Sequence, residues 1–205
     1  MNSHNKKVFY NDLVFEVPET VYAPAEDSFL LAENLVVNDG DLVLDVGTGC
    51  GILAVLAAKR AKKVIAVDAN PSAVQCTRLN AKLNNVSDKI EARHGNLFEP
   101  IKQNEQFDVI LFNAPYLPSE KWEEHDMEAK AWAGGKNGRK VIDRFIREAP
   151  KRLRKNGRIL LVQSTLSNMK QSLRMFVEEG LTAKAIAKKK ANFETIILIE
   201  ARLSD

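Results

Sequence analysis

The residues best suited to chemistry in this sequence are Asn113, Ala114, Pro115 and Tyr116, which follow a run rich in Val, Ile, Leu and Phe at 108–112. Such a run predicts a strand buried on both faces, so the four residues lie at a strand end. The Asn113 amide can hold an incoming NH2 group by its hydrogens, with the nitrogen lone pair facing forward. Pro115 fixes the corner, and the Tyr116 ring offers a flat face. The same residues also describe an ordinary turn, so the rest of the chain must decide.

A glycine-rich loop is predicted between a strand at 41–45 and a helix at 52–58. The loop opens with Asp45 and continues through Gly47, Gly49 and Gly51, which allow a tight turn and a close approach of a ligand to the helix N-terminus. Its Gly-x-Gly-x-Gly spacing differs from the Gly-x-Gly-x-x-Gly of dinucleotide enzymes. The loop is therefore a candidate cofactor site of another class.

A second acidic residue, Asp68, ends the next predicted strand at 64–67. A carboxylate at this point can accept hydrogen bonds from both hydroxyls of a ribose. Asn70 and Pro71 then predict a helix start, as cap and first-turn residue. A third strand is predicted at 89–93.

The segment before the glycine loop predicts a small hairpin at 8–16 and a helix at 25–37. Glu26 and Asp27 suit the first turn of that helix, because acidic side chains complement the positive end of its dipole. They can serve as capping residues only. The functional alternative is that Tyr22 and Ser28 face a cofactor.

The remainder of the chain predicts a helix at 140–152, a strand at 158–163, a helix at 167–178 and strands near 181–186 and 193–200. Residues 117–136 lack periodicity over a length typical of functional loops, and we interpret them as a substrate-side loop. The lysines at 188–190 are interpreted as a solvated turn. We expect one domain over 1–205, with residues 1–20 as a hairpin extension.

Composition narrows the class of protein. The chain is 45% hydrophobic and 28% charged, as in ordinary globular domains, and it has neither a signal-peptide pattern nor an apolar run long enough to span a membrane. We therefore expect a cytoplasmic protein. Cys50 and Cys76 lie in apparent core segments and predict reduced structural thiols, and no metal site is indicated by their spacing or by His125. A net charge of +3 permits an anionic partner without requiring one.

Taken in order, these motifs resemble the HemK-type glutamine methyltransferases of the PrmC family, and most closely the short archaeal and eukaryotic branch that modifies class I translation release factors. The likeness rests on residues 21–31, 45–51, 113–116 and 131–145. The helical N-terminal domain of the bacterial members is absent, which favours the short branch. The resemblance implies an α/β fold, the Rossmann-like class I S-adenosylmethionine-dependent methyltransferase, with a mostly parallel seven-stranded sheet and helices on both faces.

The resemblance also implies a site. Asn113, Ala114, Pro115 and Tyr116 would hold the glutamine, although the family tetrapeptide is Asn-Pro-Pro-Tyr and Ala114 restores a backbone N–H that could loosen the corner. Asn96 stands where such enzymes commonly have an aspartate against the adenine amino group, and it can accept only without charge assistance. The residues expected at the S-adenosylmethionine site are Tyr22, Ser28, Asp45, Gly47, Gly49, Asp68, Asn96, Leu97 and Asn113.

Three other functions fit parts of the pattern. Asn-x-Pro-Tyr also marks methyltransferases that act on exocyclic amines of nucleic acids, but these usually carry a target-recognition domain or a strongly basic face. Methylation of a protein lysine uses the same cofactor. A silent cofactor-binding scaffold would not need an intact Asn113 and Tyr116. For partners, the resemblance implies a release factor as substrate and a small zinc-binding activator forming a heterodimer.

Overall fold

Alternating strands and helices place the candidate residues along one edge of a central sheet. The computed structural model describes residues 5–116, 138–191 and 194–203. Its strands are β1 (Lys6–Tyr10), β2 (Leu13–Val17), β3 (Leu42–Val46), β4 (Lys63–Asp68), β5 (Ile90–His94), β6 (Phe107–Asn113), β7 (Leu153–Ser164), β8 (Leu181–Lys190) and β9 (Thr195–Leu203). Its α-helices are α1 (Glu26–Glu33), α2 (Ile52–Ala58), α3 (Pro71–Leu83), α4 (Lys140–Glu148) and α5 (Met169–Glu178).

Among the described residues, the main sheet has seven strands in the order β5-β4-β3-β6-β7-β9-β8. Strands β3 to β7 run parallel, whereas β9 is antiparallel to both of its neighbours. The predicted fold class, an α/β Rossmann-like and mostly parallel sheet with helices, is confirmed. Because parallel strands end on the same side, β3, β4, β5 and β6 deliver their last residues to one edge, which we call the carboxyl edge.

The predicted N-terminal hairpin is present as β1 and β2, which pair antiparallel. Two asparagine side chains fasten it to the domain, one within α3 and one at the C-cap of that helix. Asn84 accepts from the Val14 N–H at 3.1 Å and donates to the Val14 carbonyl at 2.8 Å. Asn80 accepts from the Glu16 N–H at 2.9 Å and donates to the Glu16 carbonyl at 3.1 Å. Within the described ranges β2 has no neighbouring strand on this side, and these amides bond its backbone instead.

Helix α1 is shorter than predicted, since it ends at Glu33 rather than near residue 37. The Asn34 side chain donates to the Leu30 carbonyl at 2.8 Å, which is the acceptor that a further helical N–H would use. The backbone N–H of Asn34 turns to the Leu31 carbonyl at 3.1 Å. Asn34 therefore closes the helix.

Two further predictions were wrong in detail. The helix predicted at 140–152 is α-helical only to Glu148 and continues as a 3-10 turn, Ala149–Arg152, because Pro150 has no N–H for the α pattern. The lysines at 188–190 do not form a turn. They belong to β8, which is an edge strand, where lysine side chains discourage pairing with another chain.

The strand predicted at 158–163 is β7, which begins five residues earlier, at Leu153, whereas other elements match more closely. Helix α2 has the predicted bounds, and Asn70 caps α3 by accepting from the Ser72 N–H, with Pro71 as the first residue. Cys50 and Cys76 are buried free thiols, and burial raises the pKa of each, to about 12 and about 11. In the described ranges, no helix has the length and apolarity needed to cross a membrane.

Candidate active site

A groove opens at the carboxyl edge, between the ends of β3, β4, β5 and β6. Its space is about 460 Å³ including the open mouth. The residues that line it are Val46, Gly47, Val67, Asp68, Ala69, Gly95, Asn96, Leu97, Phe112, Asn113, Pro115 and Val141.

The glycine loop forms one wall of the groove and depends on the absence of side chains. Gly47 has φ +65°, and a Cβ there would meet the Phe112 ring at 3.3 Å. The Thr48 N–H donates to the Val67 carbonyl at 3.0 Å, so the loop is tied to the end of β4. Gly47 is exposed, so its main chain is open to a ligand in the groove.

Asp68, the last residue of β4, lies beside the glycine loop. Its Oδ2 accepts from the Gly49 N–H at 2.9 Å and its Oδ1 from the Asn70 N–H at 2.8 Å. Burial raises the pKa of this carboxyl against the effect of those donors. Because a carboxylate has about four acceptor positions, Asp68 can still receive the two hydroxyls of a ribose in the groove.

Asp45 does not line the groove. Its side chain is fully buried, and its Oδ2 accepts from the Thr48 hydroxyl at 2.7 Å. The other oxygen, Oδ1, has no hydrogen-bond partner among the described residues. Burial raises the pKa of Asp45 to about 7, with a smaller contribution of the same sign from the nearby charge of Asp68. Asp45 is therefore placed to support the glycine loop from within the core.

Asn96 and Leu97 lie beyond the end of β5. Asn96 is exposed, and its backbone N–H donates to the Glu99 carboxylate at 3.2 Å. Leu97 is buried and has φ +54°, an uncommon conformation for a bulky residue and one that clusters at functional sites. Both Asn96 and Leu97 line the groove.

Asn113 ends β6 at the floor of the groove. Its Nδ2 donates to the Ser28 hydroxyl at 3.2 Å, and its Oδ1 is buried without a hydrogen-bond partner in the described chain. The following N–H, that of Ala114, donates to the Val162 carbonyl at 3.3 Å. The N–H that Ala114 provides therefore bonds the corner to β7.

Tyr22, Ser28 and Tyr116 gather around a residue outside the predicted site, Asp27. Both tyrosine hydroxyls donate to its carboxylate at 3.2 Å, and the Ser28 hydroxyl donates to it at the same distance. Burial, the Asp27 charge and that of Glu194 raise the pKa of each tyrosine. The tyrosines are therefore neutral hydrogen-bond donors at physiological pH.

Comparison with known proteins identifies the family of this chain. Residues 24–196 match the methyltransferase small domain family. The chain belongs to this family. The resemblance to HemK-type methyltransferases is also confirmed by relatives of this methyltransferase, one of which, MJ0928 of Methanocaldococcus jannaschii, is named as a protein N5-glutamine methyltransferase. It is 43% identical over 183 residues, covering 88% of this chain and 91% of the relative.

Two further relatives of the methyltransferase extend this result. Human methyltransferase HEMK2 is 33% identical over 192 residues, covering 88% of each chain. Among solved structures, a chain of the E. cuniculi Mtq2–Trm112 complex superposes with a TM-score of 0.70 at 27% identity, covering 90% of this chain and 99% of that one. That complex is described as methylating the translation termination factor eRF1.

The groove of the methyltransferase contains half of the residues named from sequence. Those that line it are Gly47, Asp68, Asn96, Leu97, Asn113 and Pro115. Those that do not are Tyr22, Ser28, Asp45, Gly49, Ala114 and Tyr116. The predicted substrate-side loop at 117–136 lies outside the described residues.

Sequence reasoning missed several neighbours of the site. Phe112 precedes the Asn113 corner directly and could have been found from that position, and Gly95 and Val141 also line the groove. Asp27 was interpreted only as a capping residue, although it directly precedes the predicted site residue Ser28 and could have been included for that reason. In the described ranges, no three His, Cys, Asp or Glu side chains are grouped to hold a metal ion.

Proposed function

We propose that this methyltransferase transfers a methyl group from S-adenosylmethionine to the side-chain amide nitrogen of a glutamine, in the Gly-Gly-Gln sequence of a class I translation release factor. The observation that carries the proposal is the Asn113 Oδ1 atom, which is buried at the floor of the groove with no hydrogen-bond partner in the described chain. A buried acceptor left unpaired costs about 1–3 kcal/mol, and a donor from the substrate would remove that cost.

A primary amide is the donor that fits this acceptor. One N–H of the glutamine side chain donates to Asn113 Oδ1, and the second donates to the backbone carbonyl of Ala114. Holding both hydrogens weakens amide resonance and turns the nitrogen lone pair toward the cofactor. Positioning of this kind can supply up to roughly 7–11 kcal/mol of the barrier. The nitrogen becomes acidic only as the new bond forms, so no strong base is required beside it.

The groove supports the cofactor assignment. An adenosyl group fits this groove. At Gly47 there is room for the ligand only because the residue has no Cβ, and Asp68 offers a carboxylate to the ribose. Leu97 and Asn96 would then lie beside the adenine base. When bound, S-adenosylmethionine supplies an electrophilic methyl carbon: the N–C bond forms as the S–C bond breaks, sulfur keeps the electron pair, and one amide proton leaves to water. Asp45 and Ser28 lie next to these walls rather than on them.

The relatives support the substrate and a partner. MJ0928 is named for glutamine methylation, and the Mtq2–Trm112 complex for methylation of a termination factor by a protein with a partner chain. We therefore include a small partner of this methyltransferase in the proposal, with the zinc-binding activator of the short branch as its identity. Translation termination takes place in the cytosol, which makes the cytosol the proposed location of the enzyme.

The test is transfer of labelled methyl from S-adenosylmethionine to purified acceptors, with and without the partner. The acceptors are release factor with Gly-Gly-Gln, the same protein with Gly-Gly-Ala, total RNA and DNA. We expect label on the Gly-Gly-Gln protein alone, and no label with the Asn113→Ala enzyme. Label on nucleic acid, or equal label on the Gly-Gly-Ala protein, would refute the glutamine assignment.

A further inference from the structure

The Asp27 carboxylate is the centre of a buried hydrogen-bond network next to Asn113. Asp27 is 5% exposed and lies in the first turn of α1. It accepts from the hydroxyls of Tyr22 and Tyr116, each at 3.2 Å, and from the Ser28 N–H at 2.6 Å and hydroxyl at 3.2 Å. These four donors fill the acceptor positions of a carboxylate.

Helix capping explains only part of this arrangement. The N-cap position of α1 is Ala25, and of the four donors only the Ser28 N–H belongs to the helix backbone. The other three are side-chain hydroxyls, and one comes from Tyr116, 89 residues away. No cation pairs with Asp27 in the described ranges. The network instead connects the start of α1 to the corner after β6.

The network fixes the direction of each hydrogen bond that leads to Asn113. An aspartate carboxylate offers only acceptors, so the single hydroxyl hydrogen of Ser28 points to Asp27. The Ser28 oxygen is then left as an acceptor, and Asn113 meets it with its NH2 group, at 3.2 Å. The carbonyl oxygen of Asn113 is therefore on the opposite side of its amide, and it is the atom without a partner among the described residues.

We propose that Asp27 is a positioning residue, which acts through Ser28 to keep the Asn113 amide in the orientation that presents Oδ1 to the acceptor amine. The proposal deepens the proposed function and rests on it. With the amide turned over, the Asn113 NH2 group would meet the NH2 group of the acceptor, donor against donor. A serine hydroxyl released from Asp27 could donate to Asn113 Oδ1 and stabilise that wrong orientation.

The first test is Asp27→Asn, which keeps the shape but adds a donor that lets the Ser28 hydrogen turn toward Asn113. We expect kcat to fall roughly 100-fold, as when reacting groups are misplaced. The Kd for S-adenosylmethionine should change little, because Asp68 and the glycine loop keep their contacts. The matched control is Glu26→Gln, which removes an exposed acid from the same helical turn and should keep wild-type kcat.

Ser28 variants test the connection itself. Ser28→Ala removes it and should lower kcat as Asp27→Asn does, whereas Ser28→Thr keeps a hydroxyl and should retain most of the activity. Because the two residues act in series, the double variant Asp27→Asn, Ser28→Ala should be no slower than either single variant. These Ser28 comparisons also test the proposal if Asp27→Asn does not fold.

The result that would overturn the proposal is wild-type kcat in Asp27→Asn, or losses that multiply in the double variant. A purely structural role predicts a lower melting temperature with kcat restored on cooling, and predicts no rescue by Ser28→Thr. Rates are compared on whichever acceptor the wild-type enzyme methylates. Activity on another amine would thus refute the glutamine assignment while still deciding the role of Asp27.

Discussion

Ala114 stands where the tetrapeptide of the glutamine methyltransferases has a proline, and its backbone N–H has a function of its own. The N–H donates to the Val162 carbonyl at 3.3 Å, and both residues are buried. This bond extends the β6–β7 pairing by one residue past Asn113, whose own register partner is Val162. The corner is therefore held by a hydrogen bond where a second proline ring would hold it by covalent geometry.

A proline at this position tests that interpretation. Ala114→Pro removes the donor and leaves the buried Val162 carbonyl with one partner fewer, which we expect to lower the free energy of unfolding by about 1–3 kcal/mol. Urea denaturation followed by circular dichroism measures the change. Ala114→Gly retains the N–H and serves as the control, with a smaller loss. A variant with proline that is as stable as the wild type would show that the hydrogen bond contributes nothing.

Asp45 provides a prediction about pH. Burial raises its pKa to about 7, so the folded protein holds this proton more tightly than the unfolded chain does. The contribution of this proton to the free energy of unfolding is complete below the unfolded pKa of about 4, and it is lost as pH rises through about 7. Asp45→Asn lacks this dependence.

We therefore expect the stability of Asp45→Asn, measured against the wild type, to rise by about 2–3 kcal/mol between pH 5 and pH 8. Thermal unfolding at a series of pH values is the measurement, and the exposed Asp12→Asn variant is the comparison for removal of a carboxylate elsewhere. A constant difference between Asp45→Asn and the wild type across this range would mean that the buried carboxyl does not titrate there.

Individual site residues differed in how far the sequence could predict them. Asp68 and Asn113 were predictable because each follows an apolar strand directly, and local order alone places it at the carboxyl edge. The place of Asp27 was not predictable in this way. Its partner Tyr116 is 89 residues distant, and that contact depends on how α1 packs against the sheet.

At the scale of elements, the hairpin is connected to the cofactor loop through α3. Asn80 and Asn84 both bind the backbone of β2, but only Asn80 also reaches the glycine loop, donating to the Cys50 carbonyl at 2.8 Å. Asn80 does not line the groove, but it can affect cofactor binding through its hydrogen bond to the glycine loop.

This difference separates two variants. Asn84→Ala should speed hydrogen exchange in β2 and leave the Kd for S-adenosylmethionine unchanged. Asn80→Ala should do the same in β2 and also raise the Kd for S-adenosylmethionine roughly fivefold, since it frees the loop carbonyl from a hydrogen bond of about 1 kcal/mol. Hydrogen exchange by mass spectrometry and calorimetric titration measure the two effects. Equal Kd values for both variants would contradict the connection.

Element types were predicted better than element ends, for local reasons. The apolar runs of β3, β4 and β6 and the glycine loop before α2 are strong signals in the sequence. The end of α1 depends on which acceptor the Asn34 side chain takes, and β8 depends on pairing with β9 over its whole length. Neither is visible in hydrophobic periodicity, because β8 has few buried residues.

At the scale of the molecule, the sheet order determines which residues can act together. Asp68, Asp45 and Asn113 come from β4, β3 and β6, which are adjacent in the sheet although the residues are far apart in the sequence. Parallel strands bring their ends to the same edge, so a cofactor on the β4 side and an acceptor at β6 can meet. The family resemblance made this order predictable, and periodicity alone would not have done so.

The most direct measurement of the central claim is the chemical position of the transferred methyl group. Release factor methylated by the wild-type enzyme, with its partner present, would be digested and its Gly-Gly-Gln peptide sequenced by tandem mass spectrometry. We predict a single methyl group on the glutamine side chain, absent when Asn113→Ala enzyme is used. A methyl group on a lysine, on the peptide backbone, or only on nucleic acid would contradict the account.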